Sequence, residues 1–349
     1  MIDQGIEFFN VEELLPVEGL PGRRLYRFPR QLCESLGESW QHNARFRSQR
    51  VHGCEMRFVT QARCFDVVLT AYEGDIDMMV FRGDRVLQKY TLPAGRTTSI
   101  HLEVPALEAS IDPTLYRGTR FPGHVWRLQF GVNGYLHFHT LDTYGWPRRP
   151  PGPDEEPSIR WLAYGSSITC GHVTTLYTNA YINQAARRLG WDVLNKGLSG
   201  SCFCEPQIGE YLAHQSVDCL TLELGVNMAV SFDPEEYERR VRTLLEKVQT
   251  NRSPRWIFVI DAFPYYGAWH RDRTLRAVQN YQIFKDITRA LTAEAARRDA
   301  RFISVPGERI LRNPDGLSCD LLHPSDEGHI LMGQALAEEI QAYTKEAKQ

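Results

Sequence analysis

The stretch Trp161–Gly171, WLAYGSSITCG, decides the fold of the second half of this 349-residue chain. It begins as a short apolar run that is typical of a buried strand, breaks at Gly165-Ser166-Ser167, and leads into a helix-like segment. A serine at such a strand-to-helix corner can face a cleft, and amides at the start of a helix favour developing negative charge. Because Gly-Ser-Ser is also ordinary turn chemistry, this stretch alone leaves open whether Ser167 is a nucleophile.

Beyond residue 159 the sequence alternates between strand-like and helix-like segments. The predicted strands are Arg160–Ala163, Trp191–Asn195, Val217–Leu224, Arg255–Ile260 and Phe302–Val305. The predicted helices are Asn179–Leu189, Pro234–Gln249, a long segment at 273–298, and Gly328–Thr344. This alternation predicts a three-layer α/β/α domain over residues 159–349, in which helices cover both faces of a parallel sheet. Ligands of such sheets bind beyond the carboxyl ends of the strands.

Residues 1–150 have a different rhythm, in which turns separate short strand-like runs. The one helix-like segment is Pro29–Arg47, and the strand-like runs are Cys54–Thr60, Phe65–Tyr72, Asp77–Arg82, Arg85–Thr91, Thr98–Val104, His124–Phe130 and Tyr135–Thr140. Strands at this spacing without intervening helices predict an all-β domain, either a sandwich or a jelly roll. A proline-rich stretch without periodicity follows, so we expect a linker at 151–158 between the two domains.

Composition and charge argue against several classes of partner. A net charge of −3 predicts neither a nucleic-acid partner nor binding to an anionic membrane surface. The first residues lack the basic start and apolar core of a signal peptide, and no apolar run approaches the roughly 20 residues of a membrane helix. The eight cysteines follow neither a disulfide framework nor zinc-like spacing, so we expect reduced thiols in the cytoplasm and no metal.

The turns after the predicted strands of the second half carry chemically useful residues. Ser167, Gly200, Asn227 and the pair Asp320 and His323 together fill every role in acyl transfer by a serine. Ser167 would attack, His323 would act as general base and then as general acid, and Asp320 would orient His323 and stabilise its cation. The amides of Ser167, Gly200 and Asn227 would form the oxyanion hole, Gly200 because it has no side chain to block the approach. We therefore expect activity to fall in acid, because a cationic imidazole cannot accept the serine proton.

Each of these turns also has a structural interpretation. Asp-x-x-His is a common loop pattern, and Gly-Val-Asn and Gly-Leu-Ser-Gly are everyday turns. The second of these turns contains Ser199, which is a rival nucleophile. Small buried packing residues are the alternative to a role at the site for the cysteines that flank the same turns, Cys170, Cys202, Cys204 and Cys319. The catalytic interpretation depends on the fixed order of four such turns, each placed after a strand.

The same four turns carry a resemblance to a known family. The chain from residue 159 onward resembles the SGNH, or GDSL-type, hydrolases, whose sequence blocks supply serine, glycine, asparagine and histidine in this order. Ser167 in GSSIT matches the first block, Gly200 in NKGLSG the second, and Asn227 in GVN the third. Asp320 and His323 match the last block. The resemblance implies a flavodoxin-like α/β/α fold, a Ser-His-Asp triad and no cofactor, and the lack of Gly-x-Ser-x-Gly argues against an ordinary α/β-hydrolase elbow.

Two positions depart from the family's pattern. Ser166 stands where the usual GDSIT has aspartate, and Met228 stands where the frequent GxND has aspartate. Neither position supplies catalytic chemistry in the family. The departures therefore bear on pocket shape and substrate more than on mechanism.

The resemblance also implies a substrate class. It implies a serine esterase that removes a small acyl group, with acetyl as the first candidate, from a carbohydrate or similarly hydroxylated substrate, whether a small molecule or an oligosaccharide. The β-rich half looks like the jelly-roll-type domain that precedes some bacterial members, several of them carbohydrate esterases. Tyr265, Tyr266 and Trp269 follow the fourth strand and are candidate substrate-binding residues, with loop packing as the alternative. An acyltransferase and an inactive glycan-binding protein are the competing functions, and the sequence leaves open whether the chain forms a homo-oligomer.

Overall fold

The computed structural model of this chain describes residues 1–37, 43–116 and 118–346. The chain divides into two compact units, of which the first comprises residues 1–30 and 48–158 and the second comprises residues 31–47 and 159–349. The predicted first domain, 1–150, had included the segment 31–47, which the structure groups with the second unit. The predicted linker, 151–158, lies with the first unit.

Short strands make up most of the first unit. In chain order, β1 to β12 are Ile2–Asp3, Ile6–Phe9, Glu13–Val17, Leu20–Tyr26, Glu55–Thr60, Cys64–Tyr72, Ile76–Arg82, Arg85–Leu92, Thr97–Glu103, Val125–Phe130, Tyr135–Asp142 and Arg148–Arg149. The strand-like runs predicted from the sequence correspond to β5–β11. The sequence did not predict β1–β4, because Gly5, Pro16, Gly19 and the Pro21-Gly22 pair give that region the composition of turns.

These strands form two antiparallel sheets that pack face to face. One sheet has the order β1-β2-β5-β10-β7-β8, with β12 beside β5, and the other has the order β3-β4-β11-β6-β9. Aromatic rings from the two sheets meet between them, and the centroids of Phe65 and Trp126 are 4.9 Å apart. Phe8 and Phe138 make a second such contact at 5.2 Å. The prediction of an all-β sandwich is confirmed, and a jelly-roll connectivity stays a prediction.

Two segments differ in detail from the sequence-based expectation. The predicted helix Pro29–Arg47 consists of α1 at Arg30–Ser35 and α2 at Ala44–Ser48, and residues 38–42 of that prediction lie outside the described residues. The predicted linker contains a short 3₁₀ helix, Pro153–Glu155. The Glu155 carboxylate lies 2.6 Å from the Arg149 guanidinium and 2.6 Å from the His124 ring. These contacts fasten the segment to the first unit.

The second unit is built on a parallel sheet. Its strands, β13 to β17, are Arg160–Tyr164, Asp192–Asn195, Cys219–Glu223, Trp256–Ile260 and Phe302–Val305. They lie in the order β14-β13-β15-β16-β17, and every neighbouring pair is parallel. Helices α3 to α10 are Ser167–Cys170, Tyr181–Leu189, Pro206–Ala213, Pro234–Thr250, Tyr266–Trp269, Arg276–Arg298, Gly307–Ile310 and Asp326–Glu346. This strand order is flavodoxin-like and confirms the predicted fold class.

Helices cover both faces of this sheet. Trp161 and Ala163 of β13 belong to a buried apolar core shared with α4 and α10. Leu162, between them, is also fully buried and points to the opposite face, as the alternation of side chains along a strand requires. On the other side of the unit, α6 packs against α5 and α8. In the part of the chain that the structure describes, no helix is both long and apolar enough to cross a membrane.

The three strands β14, β13 and β15 lie side by side and bring three of the predicted turns together. Their carboxyl ends, at Asn195, Tyr164 and Glu223, meet at one edge of the sheet because parallel strands all end on the same side. The chain continues from β14 towards Gly200, from β13 into Ser167, and from β15 towards Asn227. The sheet therefore positions the candidate site.

Candidate active site

Ser167 lies at the corner between β13 and α3, where it is the first residue of the helix. The preceding Ser166 is the N-cap, and its hydroxyl accepts a hydrogen bond from the Ile168 amide at 3.2 Å. Gly171, at φ 86°, ends the helix after one turn. Ser167 is 6% exposed. The corner therefore buries most of the residue and leaves a small part of it open.

A carboxylate from the neighbouring strand fills the space behind this corner. The Oε2 atom of Glu223, the last residue of β15, accepts hydrogen bonds from the Ser166 amide at 2.6 Å and from the Thr169 hydroxyl at 3.2 Å. A Cβ atom at Gly165 would lie 2.6 Å from the same oxygen and closer still to the Thr169 hydroxyl. Only glycine fits at position 165, which explains the first residue of the Gly-Ser-Ser turn. Sequence reasoning missed Glu223, because it stands at the end of an apolar strand pattern.

The predicted triad residues lie within hydrogen-bond distance of one another. The Ser167 Oγ atom is 2.8 Å from His323 Nε2, and His323 Nδ1 is 2.7 Å from Asp320 Oδ2. An ionised carboxylate can only accept, so Nδ1 carries the proton and Nε2 presents its lone pair to the Ser167 hydroxyl. This tautomer is the one that a general base for Ser167 requires.

Asp320 is held by more than its contact with the histidine ring. Its Oδ1 atom accepts hydrogen bonds from the amides of His323 and Leu322 and from the Ser318 hydroxyl, each at 2.9 Å. Partial burial on its own would raise the pKa of Asp320, but the hydrogen bonds from the His323 ring, these amides and Ser318 outweigh it and hold that pKa well below the usual range. Asp320 is therefore ionised throughout the neutral and mildly acidic range.

The three predicted oxyanion donors are the Ser167 and Gly200 amides and the Asn227 side chain. In the described part of the chain, the Ser167 and Gly200 amides have no protein acceptor. The Asn227 side chain accepts a hydrogen bond from the Cys202 amide through Oδ1 at 3.1 Å, which identifies Nδ2 as the end that remains available to donate. Gly200 has φ 65° and no atom within 4 Å of an added Cβ. The left-handed backbone conformation therefore favours glycine at this position.

The Gly200 turn is held from two sides. The Ser201 hydroxyl donates to Asn43 Oδ1 at 2.7 Å, so the segment 31–47 contacts the residue that follows Gly200. On the other side, the Cys202 thiol donates to the main-chain carbonyl of Glu223 at 3.6 Å. Ser201 is completely buried and Cys202 nearly so. Sequence reasoning did not find Asn43, which lies about 125 residues before Ser167 in a segment assigned to the other domain.

The rival nucleophiles have less favourable surroundings. Ser199 is 8% exposed, about as much as Ser167, but it is the Ser167 hydroxyl that lies 2.8 Å from His323 Nε2. Cys202 and Cys204 are buried, and burial raises the pKa of both thiols well above the ordinary value. Protonated thiols are poor nucleophiles. Cys170 is likewise buried, and Cys319 is exposed beside Asp320.

The three candidate substrate-binding aromatics have different surroundings. Tyr265 is 2% exposed and donates its hydroxyl to the Ala277 carbonyl at 3.0 Å, so its contacts are with the protein. Tyr266 is half-buried, with its ring 5.2 Å from that of Tyr265. Trp269, at the end of α7, is 48% exposed. The Tyr266 amide donates to the Leu321 carbonyl at 2.7 Å, which joins α7 to the loop that carries Asp320 and His323. Of the three, Trp269 is the most accessible to a ligand.

A second histidine fixes the loop after α3. The His329 ring accepts from the Tyr181 amide at 3.3 Å and donates through Nε2 to the His172 carbonyl at 3.1 Å. Burial lowers the pKa of His329 to about 4, so the ring is neutral at neutral pH. The His172 ring lies 6.0 Å from that of His323. His329 therefore anchors the loop that borders the general base, and sequence reasoning missed it.

Comparison with known proteins supports the family resemblance. Residues 163–331 match the GDSL-like lipase/acylhydrolase family. A salicylyl-acyltransferase from a tetracycline biosynthetic pathway aligns over 98% of this chain and 95% of its own, with a TM-score of 0.78 and 14% identity. A family two carbohydrate esterase from Clostridium thermocellum, solved in complex with cellohexaose, aligns over 84% and 93%, with a TM-score of 0.63 and 16% identity.

An acetyl xylan esterase from the rumen bacterium Butyrivibrio proteoclasticus aligns over 98% of this chain and 97% of its own, with a TM-score of 0.53 and 11% identity. A search of curated protein sequences found no match. At these identities the likeness to solved structures concerns the fold, and the family is identified by the match that spans most of the α/β unit. That match begins within β13, ends within α10, and includes Ser167, Gly200, Asn227, Asp320 and His323. The α/β unit of this chain belongs to the GDSL-like lipase/acylhydrolase family of ester hydrolases.

Proposed function

We propose that this protein is a serine esterase that removes a small acyl group, acetyl in the first instance, from a carbohydrate or a similarly hydroxylated alcohol. The observation that carries the proposal is the continuous chain of hydrogen bonds from Ser167 through His323 to Asp320, with distances of 2.8 and 2.7 Å. Both distances lie in the range that proton transfer between a nucleophile and its base requires.

Acylation begins at the Ser167 hydroxyl. His323 Nε2 takes the hydroxyl proton while Oγ attacks the carbonyl carbon of the ester, and the carbonyl oxygen becomes an oxyanion. The Ser167 and Gly200 amides and Asn227 Nδ2 stabilise that charge, which is where most of the rate enhancement of such sites arises. His323 then gives its proton to the departing alcohol oxygen, and the acyl group remains on Ser167.

Deacylation repeats the sequence with water. His323 takes a proton from water, whose oxygen attacks the acyl carbon, and the same three donors receive the oxyanion. The Ser167 oxygen leaves and regains the proton from His323, which releases the carboxylic acid. Asp320 stays ionised in both steps, because its hydrogen bonds hold its pKa low, and so it stabilises the imidazolium each time it forms.

Two structural relatives and one exposed side chain support the choice of acyl group and alcohol. Two of the structural relatives described above are a carbohydrate esterase and an acetyl xylan esterase. The exposed Trp269 indole is suited to stacking on a sugar face. The proposal predicts faster turnover of p-nitrophenyl acetate than of p-nitrophenyl octanoate, and release of acetate from acetylated oligosaccharides. The reverse order of chain-length preference would contradict the small-acyl part.

One observation favours a second candidate function. The salicylyl-acyltransferase aligns with nearly the whole of both chains. An acyltransferase would use the same acyl-serine but pass the acyl group to an acceptor alcohol in place of water. The two functions are separated by incubating the protein with an activated acetyl ester, with and without added alcohols, and measuring acetate and acetylated alcohol by mass spectrometry. Acetate as the main product in the presence of acceptors supports the esterase.

The nucleophile is tested independently of the substrate. After treatment with diethyl p-nitrophenyl phosphate, mass spectrometry should find one diethylphosphoryl adduct, on Ser167, with parallel loss of p-nitrophenyl acetate hydrolysis. The matched control Ser199→Ala should react like the wild type, and Ser167→Ala should not react. An adduct on Ser199, or hydrolysis that persists without an adduct, would overturn the assignment. A protein with neither adduct nor hydrolysis would favour the glycan-binding alternative.

A further inference from the structure

One buried carboxylate of the second unit lies against the nucleophile corner but outside the Ser-His-Asp chain. Glu223 is 1% exposed, and its Oε2 atom accepts from the Ser166 amide at 2.6 Å and from the Thr169 hydroxyl at 3.2 Å. The two donors stand one residue before and two residues after Ser167. A single oxygen on β15 therefore holds the backbone before the nucleophile and a side chain after it.

We propose that Glu223 is a positioning residue for Ser167. By accepting from both sides of the corner, it holds the Ser167 Oγ atom in line with His323 Nε2 and keeps the Ser167 amide directed at the oxyanion. This inference rests on the proposed function, because it assigns a role in the reaction that Ser167 carries out.

Within the described residues the Ser166 amide donates to Glu223, whereas the Thr169 hydroxyl also lies 2.8 Å from the Tyr181 hydroxyl. The Ser166 hydroxyl already caps the Ile168 amide at 3.2 Å, and Ser166 itself is completely buried. Position 165 must be glycine, because a side chain there would displace the Glu223 carboxylate. A buried amide without an acceptor is unfavourable, so removal of the carboxylate forces the corner to move. A displacement of about 1 Å at a nucleophile can cost roughly 100-fold in rate.

Glu223 also connects the nucleophile corner to the oxyanion turn. Its main-chain carbonyl accepts from the Cys202 thiol at 3.6 Å, and the Cys202 amide in turn donates to Asn227 Oδ1 at 3.1 Å. The Thr169 hydroxyl continues the network to the Tyr181 hydroxyl at 2.8 Å. Glu223 therefore links the turn that carries the nucleophile, Ser167, to the turn that contacts the proposed oxyanion donor Asn227.

The role depends on an acceptor oxygen and not on a negative charge. Burial raises the pKa of Glu223, while the bonds from Ser166 and Thr169 and the charge of a His323 cation act in the opposite direction. The other titratable groups that interact with it are the Tyr181, Cys202 and Cys204 side chains. In the described residues Glu223 Oε1 has no hydrogen-bond partner. A proton on Oε1 therefore leaves both bonds to Oε2 intact, and a glutamine carbonyl can replace Oε2.

The test compares Glu223→Gln, which keeps an acceptor, with Glu223→Leu, which keeps the volume and removes it. Sites are counted by the p-nitrophenolate released when diethyl p-nitrophenyl phosphate reacts to completion, and kcat for p-nitrophenyl acetate is expressed per titrated site. We expect Glu223→Leu to lose about 10- to 100-fold in kcat per site with little change in KM, and Glu223→Gln to stay within about threefold of the wild type. A residue that only supported folding would lower the number of titrated sites and leave the rate per site unchanged.

Asp261 provides a matched control. It is a buried carboxylate directly after the neighbouring strand β16, but it is bonded to Arg289 and to the Gly307 amide and not to the nucleophile corner. Asp261→Asn should lower the thermal midpoint and leave kcat per titrated site at the wild-type value. If Glu223→Leu does not fold, Thr169→Val removes one of the two bonds to Oε2, and we expect a few-fold loss of kcat per site.

The outcomes separate this inference from the proposed function. A wild-type protein that forms no adduct on Ser167 refutes the esterase itself and the Glu223 role with it. A wild type that reacts, together with a wild-type rate per site in Glu223→Leu, or in Thr169→Val where that variant replaces it, refutes the Glu223 role alone. Equal losses in Glu223→Gln and Glu223→Leu would also overturn it, because an acceptor oxygen would then not be sufficient.

Discussion

Replacing Asp320 by asparagine should inactivate the site by changing which nitrogen of His323 carries the proton. The three bonds to Oδ1, from the His323 and Leu322 amides and the Ser318 hydroxyl, fix the orientation of the side chain. In Asp320→Asn the amide oxygen keeps these bonds, since the reversed orientation would oppose three donors with an NH₂ group. The NH₂ group must then take the place of Oδ2, 2.7 Å from His323 Nδ1.

Two donors cannot share that distance, so His323 must shift its proton from Nδ1 to Nε2. With a proton on Nε2, the ring can no longer accept the Ser167 proton across the 2.8 Å contact. The wrong tautomer in a serine protease triad costs about 10⁴ in kcat, which corresponds to about 5 kcal/mol of barrier. We expect a loss of about 10³- to 10⁴-fold in kcat for p-nitrophenyl acetate, with KM within a few-fold of the wild type.

The matched control for this prediction is Ser318→Ala. It removes one bond to Oδ1 and leaves the contact between Oδ2 and His323 Nδ1, so it should keep kcat within about threefold. Thermal unfolding should verify that both variants are folded. A folded Asp320→Asn protein that keeps more than a tenth of the wild-type kcat would refute the orienting role of Asp320.

Three further predictions concern residues around the triad. Asn227→Ala removes one oxyanion donor and the acceptor for the Cys202 amide, so kcat should fall by about 100- to 1,000-fold; a loss below tenfold would exclude Asn227 from the oxyanion hole. Asn43→Ala removes the acceptor of the buried Ser201 hydroxyl and should lower the free energy of unfolding by about 1 kcal/mol, with a few-fold loss of kcat; unchanged denaturant melts and rates would show that the segment does not support the turn. His329 has a folded-state pKa of about 4 against 6.5 when unfolded, so the unfolded state binds the extra proton between these pH values. The contribution of His329 to the free energy of unfolding, about 3 kcal/mol, is complete above pH 6.5 and is lost as the pH falls to about 4. In His329→Gln the free energy of unfolding should therefore fall by about 3 kcal/mol less over this pH range.

Much of the fold could be predicted because both units follow regular patterns. Helical spacing and short apolar runs identified β13–β17 and the long helices to within a few residues, and the seven runs of the β unit matched β5–β11. The strands β1–β4 escaped because their glycines and prolines resemble turns. Local composition also assigned the segment 31–47 to the preceding domain, although its contacts join it to the second unit. Long-range contacts of this kind leave no periodicity in the sequence.

The candidate site was predictable to the extent that it is made of local turns. The sequence points to Ser167, Gly200, Asn227, Asp320 and His323 because they stand in turns in a fixed order. The first three follow β13, β14 and β15, whereas Asp320 and His323 come after α9. Supporting residues were missed where their neighbours come from distant parts of the chain: Glu223 is hidden in an apolar strand, and the buried His329 stands in a helix. Tyr265 is a different case. An aromatic residue after a strand end suggests a pocket, but the Tyr265 hydroxyl donates to the Ala277 carbonyl of the same chain.

The departure of this chain from the Gly-Asp-Ser pattern is explained best by considering two strands together. Ser166 is completely buried, and its hydroxyl caps α3 while its amide donates to the Glu223 carboxylate at 2.6 Å. An aspartate at position 166 would place a second carboxylate beside Glu223 in a space where Gly165 already admits no side chain. Two neighbouring carboxylates oppose each other's ionisation, which would destabilise the turn at Gly165–Ser167. We therefore expect Ser166→Asp to be tolerated in this chain only together with a change at Glu223.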